Sequence, residues 1–178
     1  DDKISKVNRL IRAKRKQIAL LKEQKQVVIN HIVTNGLDLH AGKMPFNIEG
    51  LGDVPRNWSV KPLKYFVKSN IETLTNSFDG NKIINYLDIS TVGFGELKQK
   101  PVRHFFKEAP SRARRVIRTG DTIISTVRTY LKSMCYVSED LDGFIASTGF
   151  AVLTPSSSEV HPRLLSYVLS ADYFLSSV

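Results

Sequence analysis

Two short stretches hold the residue types that bind anions and read polar edges. "SRARRVIR" (111–118) places Arg112, Arg114, Arg115 and Arg118 close together. A guanidinium stays charged and presents a fixed fork of donors that matches phosphate oxygens. Charge at this density implies phosphate pairing, with salt-sensitive binding from released counterions. The alternative is a solvated strand edge protected by its charge. "STVRTYLK" (125–132) adds Arg128, Thr129, Tyr130 and Lys132. Arg128 can grip a guanine edge through two donors, and the other three can reach base edges or phosphates. The alternative there is a plain hairpin with Arg128 packed on Tyr130. Ser90 and Thr91 in "DISTVG", and Ser147 and Thr148 in "ASTG", are further hydroxyl candidates. Trp58 reads as a core anchor rather than a stacking platform.

Other chemistries lack their residues. No GxxxxGK[ST] loop is present to cradle a phosphate. "GFG" at 93–95 reads as a turn. His31, His40, His104 and His161 are scattered, and one cysteine adds no metal-ligand spacing, so no metal site is expected. "STG" at 147–149 lacks the flanking glycines of a nucleophile elbow. The acidic residues do not cluster as a two-metal nuclease requires. Catalysis by this chain alone is therefore not expected.

The charge has a layout. The formal net charge is +9 over 178 residues, which asks for a polyanionic partner, nucleic acid before an anionic membrane. Residues 1–34 contain nine Lys/Arg against three Asp/Glu, and residues 98–132 contain ten against two. The rest of the chain is net acidic. No run approaches the roughly 18 apolar residues of a membrane span, and no secretory leader is expected. Cys135 alone excludes an internal disulfide and points to a reducing, cytoplasmic setting.

The two basic blocks belong to different elements. Counting by sevens from Ile4 gives Ile4, Ile11, Ile18, Lys25 and Ile32, and three residues on, Val7, Lys14, Leu21 and Val28. Seven of these nine are apolar, which predicts a coiled-coil seam over about four heptads. Such a helix cannot bury its seam alone. Asn35-Gly36 marks its end, since glycine favours the left-handed position past a helix. The helix is expected over 1–35 and a linker over 36–50.

From 51 to 178 the period shortens, predicting a globular domain. "KIINYLDIST" (82–91), "GDTIISTV" (120–127), "KSMCYVS" (132–138) and "FIASTGFAVLTP" (144–155) read as strands between turns. "HPRLLSYVLSADYFLSS" (161–177) reads as one helix. The fold class expected is mixed α/β: a long coiled-coil-type N-terminal helix, then a globular α+β domain with short, mainly antiparallel strands.

Val33, Thr34, Gly36, Leu37 and Asp38 close the helix, and Gly52, Val54, Pro55 and Trp58 open the next segment. This order resembles the specificity (S) subunits of type I restriction-modification systems. There a long helix ends in a similar tail and a G-x-[IV]-P-x-x-W segment begins a target recognition domain. "RTGDTIISTVRTYLKSMCYV" and "IASTGFAVLTP" look like that family's later strands. The resemblance implies two recognition domains held apart by two antiparallel spacer helices, each reading half of a split DNA sequence. It implies an earlier domain before residue 1 and a recognition domain incomplete at its C-terminus. It also implies a methyltransferase subunit that uses S-adenosylmethionine to methylate adenine, and a restriction subunit that uses ATP and magnesium. Those cofactors would belong to the partner subunits. The competing class is a basic coiled-coil interaction module that self-associates through its helix and has no specific DNA readout.

Overall fold

The computed structural model describes residues 2–38, 40–46, 51–156 and 160–176. Residue 1 of the expected first helix, residues 39 and 47–50 of the expected linker and residue 177 of the expected last helix lie outside these. The chain forms two compact units, one of residues 1–58 with 171–176 and one of 59–170 with 177–178.

The first unit is built on α1 (Asp2–Asn35), about 50 Å long at ~1.5 Å per residue. Every described residue from Asp2 to Lys25 is exposed. The seam residues Ile4, Val7, Ile11, Ile18, Leu21 and Val28 are all among the exposed large hydrophobics, and only Ile32 is partly covered. The helix ends at Gly36, whose φ is +78° and whose N–H donates to the Ile32 carbonyl at 2.9 Å. A Cβ at Gly36 would sit 3.2 Å from the Trp58 ring and 3.6 Å from Pro55. The two motifs flanking the linker therefore meet in space, and Trp58 anchors the helix end. Strands β1 (Lys43–Met44) and β2 (Val54–Pro55) pair antiparallel there, with Val54 fully buried. The short α3 (Asp172–Leu175) joins this unit: Asn30 donates to the Asp172 carboxylate at 2.6 Å and accepts from its N–H at 3.2 Å.

The second unit stacks two four-stranded sheets. One has the order β3 (Val67–Ser69), β10 (Phe150–Pro155), β7 (Thr122–Ser125), β8 (Met134–Tyr136). The other runs β5 (Val102–Phe105), β4 (Ile83–Leu87), β9 (Ile145–Ser147), β6 (Ala113–Val116). All pairings are antiparallel except β4 with β9. Alternation divides each strand's residues between faces. Leu87 and Ala146 turn toward Ile123, Cys135, Phe150 and Val152 of the first sheet. Ile84, Tyr86 and Ile145 turn the other way, into a second core with Phe106, Ala113 and Val116. Helix α2 (Pro162–Ser170) packs on β7, β8 and β10 through Leu165 and Leu169. The fold is thus a long helix followed by a β-rich domain of mainly antiparallel strands.

Two expected elements divide. The strand expected over 144–155 is β9 and β10, in different sheets, separated by Thr148-Gly149. A Cβ on Gly149 would lie 2.5 Å from Ile89 Cδ1, so a side chain at this turn would require the Ile89 side chain to shift. The helix expected over 161–177 breaks at Ala171, which is extended (φ −71°, ψ 145°), because Asp172 begins a new helix capped by Asn30. β4 also stops short of the expected residue 91. Asp88 accepts from the Ser90 N–H at 3.1 Å and turns the chain into a single 3-10 turn.

Candidate nucleic-acid interface

Three connections of the second unit converge at one end of the sheets. The first is the 3-10 turn at Ile89–Thr91 after β4. The second is the Thr148-Gly149 turn between β9 and β10. The third is the loop 126–132 between β7 and β8, closed by Ser125 N–H donating to the Ser133 carbonyl at 2.8 Å. Thr148 N–H donates to the Arg112 carbonyl at 2.8 Å, and Thr126 N–H donates to the Gly149 carbonyl at 2.9 Å. Ile89 and Val127 both lie against Gly149.

This brings Arg112, Ser90 and Thr148 together at the surface, with Arg128, Thr129, Tyr130 and Lys132 on the adjoining loop. Asp88 organises the near side. Its carboxylate pairs with Arg112 at 3.0 Å and accepts from Tyr86 Oη at 3.0 Å and from Ser90 Oγ at 3.1 Å. Burial works to raise the Asp88 carboxyl, but the Ser90 N–H, the two hydroxyls and the Arg112 charge outweigh it. The group is held below the ordinary aspartate value.

Two candidates are interior. Thr91 is 4% exposed and Ser147 is fully buried, where its hydroxyl accepts from the Gly149 N–H at 3.3 Å. Neither side chain is presented to a ligand, because each sits where the chain turns inward to the core.

The remaining arginines lie on or just beyond the end of β6, an edge strand whose outer side is covered by residues 72–74. Leu74 N–H donates to the Arg114 carbonyl at 2.8 Å, and Thr73 bridges Arg115. Arg114 lies 4.8 Å above the Phe106 ring and donates to Asn76 at 3.2 Å. Arg115 donates to Thr73 Oγ1 at 2.9 Å, and its Nε is buried without a partner. Arg118 lies two residues past the end of β6, up to about 20 Å from Arg112 at ~3.3 Å per residue. It grips Glu72 with two bonds of 2.6 and 3.0 Å. That hydrogen bonding holds the Glu72 carboxyl below its usual value against a small opposing effect of burial.

Arg128 differs from all of these. It is exposed, and its side chain has no partner among the described residues, Tyr130 included. Its backbone is left-handed, with φ 54° and ψ 55°.

Sequence reasoning passed over Asp88, Thr126 and Gly149, which hold these turns together. Asp88 had a signal in "DIS", an aspartate two residues before a serine at a strand end, which forms an Asx turn. Gly149 had one too, as a glycine inside a strand-like run. Elsewhere, a shallow cleft of ≈ 240 Å³ beside α1 is lined by Asn30, His31, Thr34, Leu51, Asp172 and Tyr173, with Asn30 and Asp172 bonded to each other. Among the described residues no group of three His, Cys, Asp or Glu is placed to hold a metal ion. Among the described residues no helix is long and apolar enough to cross a membrane.

No family model matches the chain. A curated relative, the HindI type I restriction enzyme specificity subunit of Haemophilus influenzae, is 27% identical over 132 residues, 70% of this chain and 25% of that protein. Among solved structures, the HsdS subunit from Thermoanaerobacter tengcongensis matches with TM-score 0.53 and 33% identity, over 62% of this chain and 30% of that one. A chain from a structure describing complex assembly and conformational transition of the type I R-M system matches with TM-score 0.50 and 32% identity, over 65% and 31%. The chain spans about a quarter of the curated relative's length and under a third of either solved chain. In sequence and in fold it is a relative of the specificity subunits of type I restriction-modification systems.

Proposed function

We propose that the chain is a DNA-recognition piece of a type I specificity subunit, or a half-subunit, reading double-stranded DNA with the end of the second unit where the three turns converge. The observation that carries this is the cluster itself. Arg128 stands unpartnered beside Arg112, Ser90 and Thr148 on a chain of net charge +9. Phosphate contacts fix position and base-edge contacts select sequence. Arg112, Lys132 and the β6 arginines serve the first, and Arg128, Thr129 and Tyr130 the second.

In this reading the chain is not itself catalytic. It directs a methyltransferase subunit and a restriction subunit, whose S-adenosylmethionine, ATP and magnesium support adenine methylation and cleavage in the cytoplasm. The exposed apolar seam of α1 pairs with a second helix, from another part of a specificity subunit or a second copy of this chain. Replacing Ile11 and Ile18 with Asp is expected to abolish any self-association seen by sedimentation while leaving the β-rich unit's melting unchanged.

The deciding experiment is selection from a randomised duplex pool at two salt concentrations, with the bound fraction sequenced. An enriched motif whose binding falls steeply with salt supports the reading. Binding without enrichment favours the second reading, a basic interaction module, for which the seam exposure on α1 is the specific observation.

A further inference from the structure

The loop 126–132 has features that hydrogen-bond readout does not use. Tyr130 is 75% exposed, Val127 48% and Leu131 45%. They share one loop with the cations Arg128 and Lys132. Both cations have positive φ, 54° and 49°, on either side of the single 3-10 turn Thr129–Leu131. A left-handed conformation at a non-glycine residue costs of order 1–3 kcal/mol and persists only where neighbours enforce it.

Here the neighbours do so. The buried Ser125 hydroxyl donates to the Val127 carbonyl at 2.6 Å and accepts from the Val127 N–H at 3.2 Å. Leu131 N–H donates to the Arg128 carbonyl at 2.9 Å, and Lys132 N–H to the Thr129 carbonyl at 2.8 Å. Thr126 is tied to Gly149 through both its N–H and its hydroxyl. The result is a braced tip that keeps an aromatic and an aliphatic side chain in water, although burying each would stabilise by roughly 1.5–3 kcal/mol.

We propose that Tyr130 and Leu131 form a wedge that enters between neighbouring base pairs of duplex DNA and unstacks that step, with Arg128 and Lys132 on the flanking phosphates or base edges. The wedge rests on the DNA-recognition reading above and adds a source of specificity to it. An apolar wedge costs a few kcal/mol of stacking and kinks the duplex by about 20–90°. The cost is least at flexible pyrimidine–purine steps. The loop would thus select a TA or CA/TG step without hydrogen-bonding its bases. The charges favour this occupant, because a base step is an apolar slot between two phosphates, and the loop is an apolar tip between two cations.

The test uses the whole chain and duplexes from the bound fraction of the randomised pool. They carry 2-aminopurine at each adenine and pyrrolocytosine at each cytosine in turn, so that every base pair is probed. Binding is followed in parallel by anisotropy. The expected result is a several-fold fluorescence rise confined to one step on binding. Tyr130→Phe should keep the rise, and Tyr130→Ala with Leu131→Ala should lose it while melting like the parent. Binding without brightening at any position overturns the wedge and leaves DNA recognition standing. So does brightening that survives the double substitution. A chain that binds no duplex at all overturns both.

Discussion

The chain contains two arginine-bearing segments that composition does not distinguish, and the fold treats them in opposite ways. Along β6 and just past its end, Arg114 lies on Phe106 and Asn76, Arg115 on Thr73, and Arg118 on Glu72. On the loop between β7 and β8, Arg128 has no such partner and is held in a left-handed backbone at an exposed tip. Arg114 and Arg115 are held by neutral groups and Arg118 by a carboxylate, and together they fasten residues 72–76 over a sheet edge. Arg128 keeps its donors for something outside the chain. Density of charge in a sequence is therefore a poor guide to availability. What separates the two is whether a carboxylate, hydroxyl or ring lies within reach once the strand is placed.

The largest effect expected from this contrast is on binding. Arg128→Ala should weaken the preferred duplex by about 1–3 kcal/mol, the value of one bidentate base contact, and random duplex by much less. Arg114→Ala and Arg115→Ala should weaken both duplexes alike. Each lowers the salt slope by about 0.9 if it neutralises a phosphate, and by nothing if it is purely structural. Titrations of both duplexes at several salt concentrations measure this. Equal loss on both duplexes for Arg128→Ala would place it with the β6 arginines and remove the contrast.

A second substitution asks whether the converging turns act as one surface. Gly149→Ala sets a methyl 2.5 Å from Ile89 Cδ1 and 3.6 Å from Val127. Ile89 must move, which costs about 1 kcal/mol or somewhat more at an overpacked site. Urea unfolding should show that loss. If the surface is shared, the preference for the selected motif should fall with it, because Ile89 adjoins Ser90 and Val127 adjoins Arg128.

The long helix and the change of period after it were legible because each is a repeating signal. Seven-residue spacing from Ile4 reports a face, and Gly36 reports a helix end. The packing of Trp58 and Pro55 on Gly36 follows from motifs visible in the sequence, though only coordinates show them meeting. The sites were legible as residue types and not as places. Ser90 and Thr91 are adjacent in sequence, yet one is exposed and the other buried, because Asp88 turns the chain between them. Ser147 and Thr148 divide in the same way at the end of β9. Strands β3, β5 and β6 went unread, since "VKS", "VRHF" and "ARRV" carry charged residues on short edge strands where apolar alternation is lost. Arg118 could not be told from Arg128 without Glu72, which is 46 residues away in sequence and 2.6 Å away in space.

That last pair offers the smallest and most specific test of the contrast. Glu72 has its folded-state pKa lowered, chiefly by the hydrogen bond from Arg118. A carboxylate with a depressed folded pKa stabilises the fold above its ordinary unfolded value, and loses that contribution as pH falls through the lower folded value. Both side chains are about half exposed, at 46% and 51%, so solvent screening limits the pair to roughly 0.2–1 kcal/mol. Glu72→Gln should therefore lower stability slightly at neutral pH, and the difference from the parent should vanish below the folded pKa. High salt should shrink the difference, as it does for any exposed pair. Arg118→Ala should cost about the same in stability and leave the preference for the selected duplex unchanged. If Arg118→Ala instead lowers that preference as far as Arg128→Ala does, then Arg118 exchanges Glu72 for DNA on binding. Its intramolecular partner would then be a placeholder for a base edge, since loss of a phosphate contact would weaken both duplexes alike.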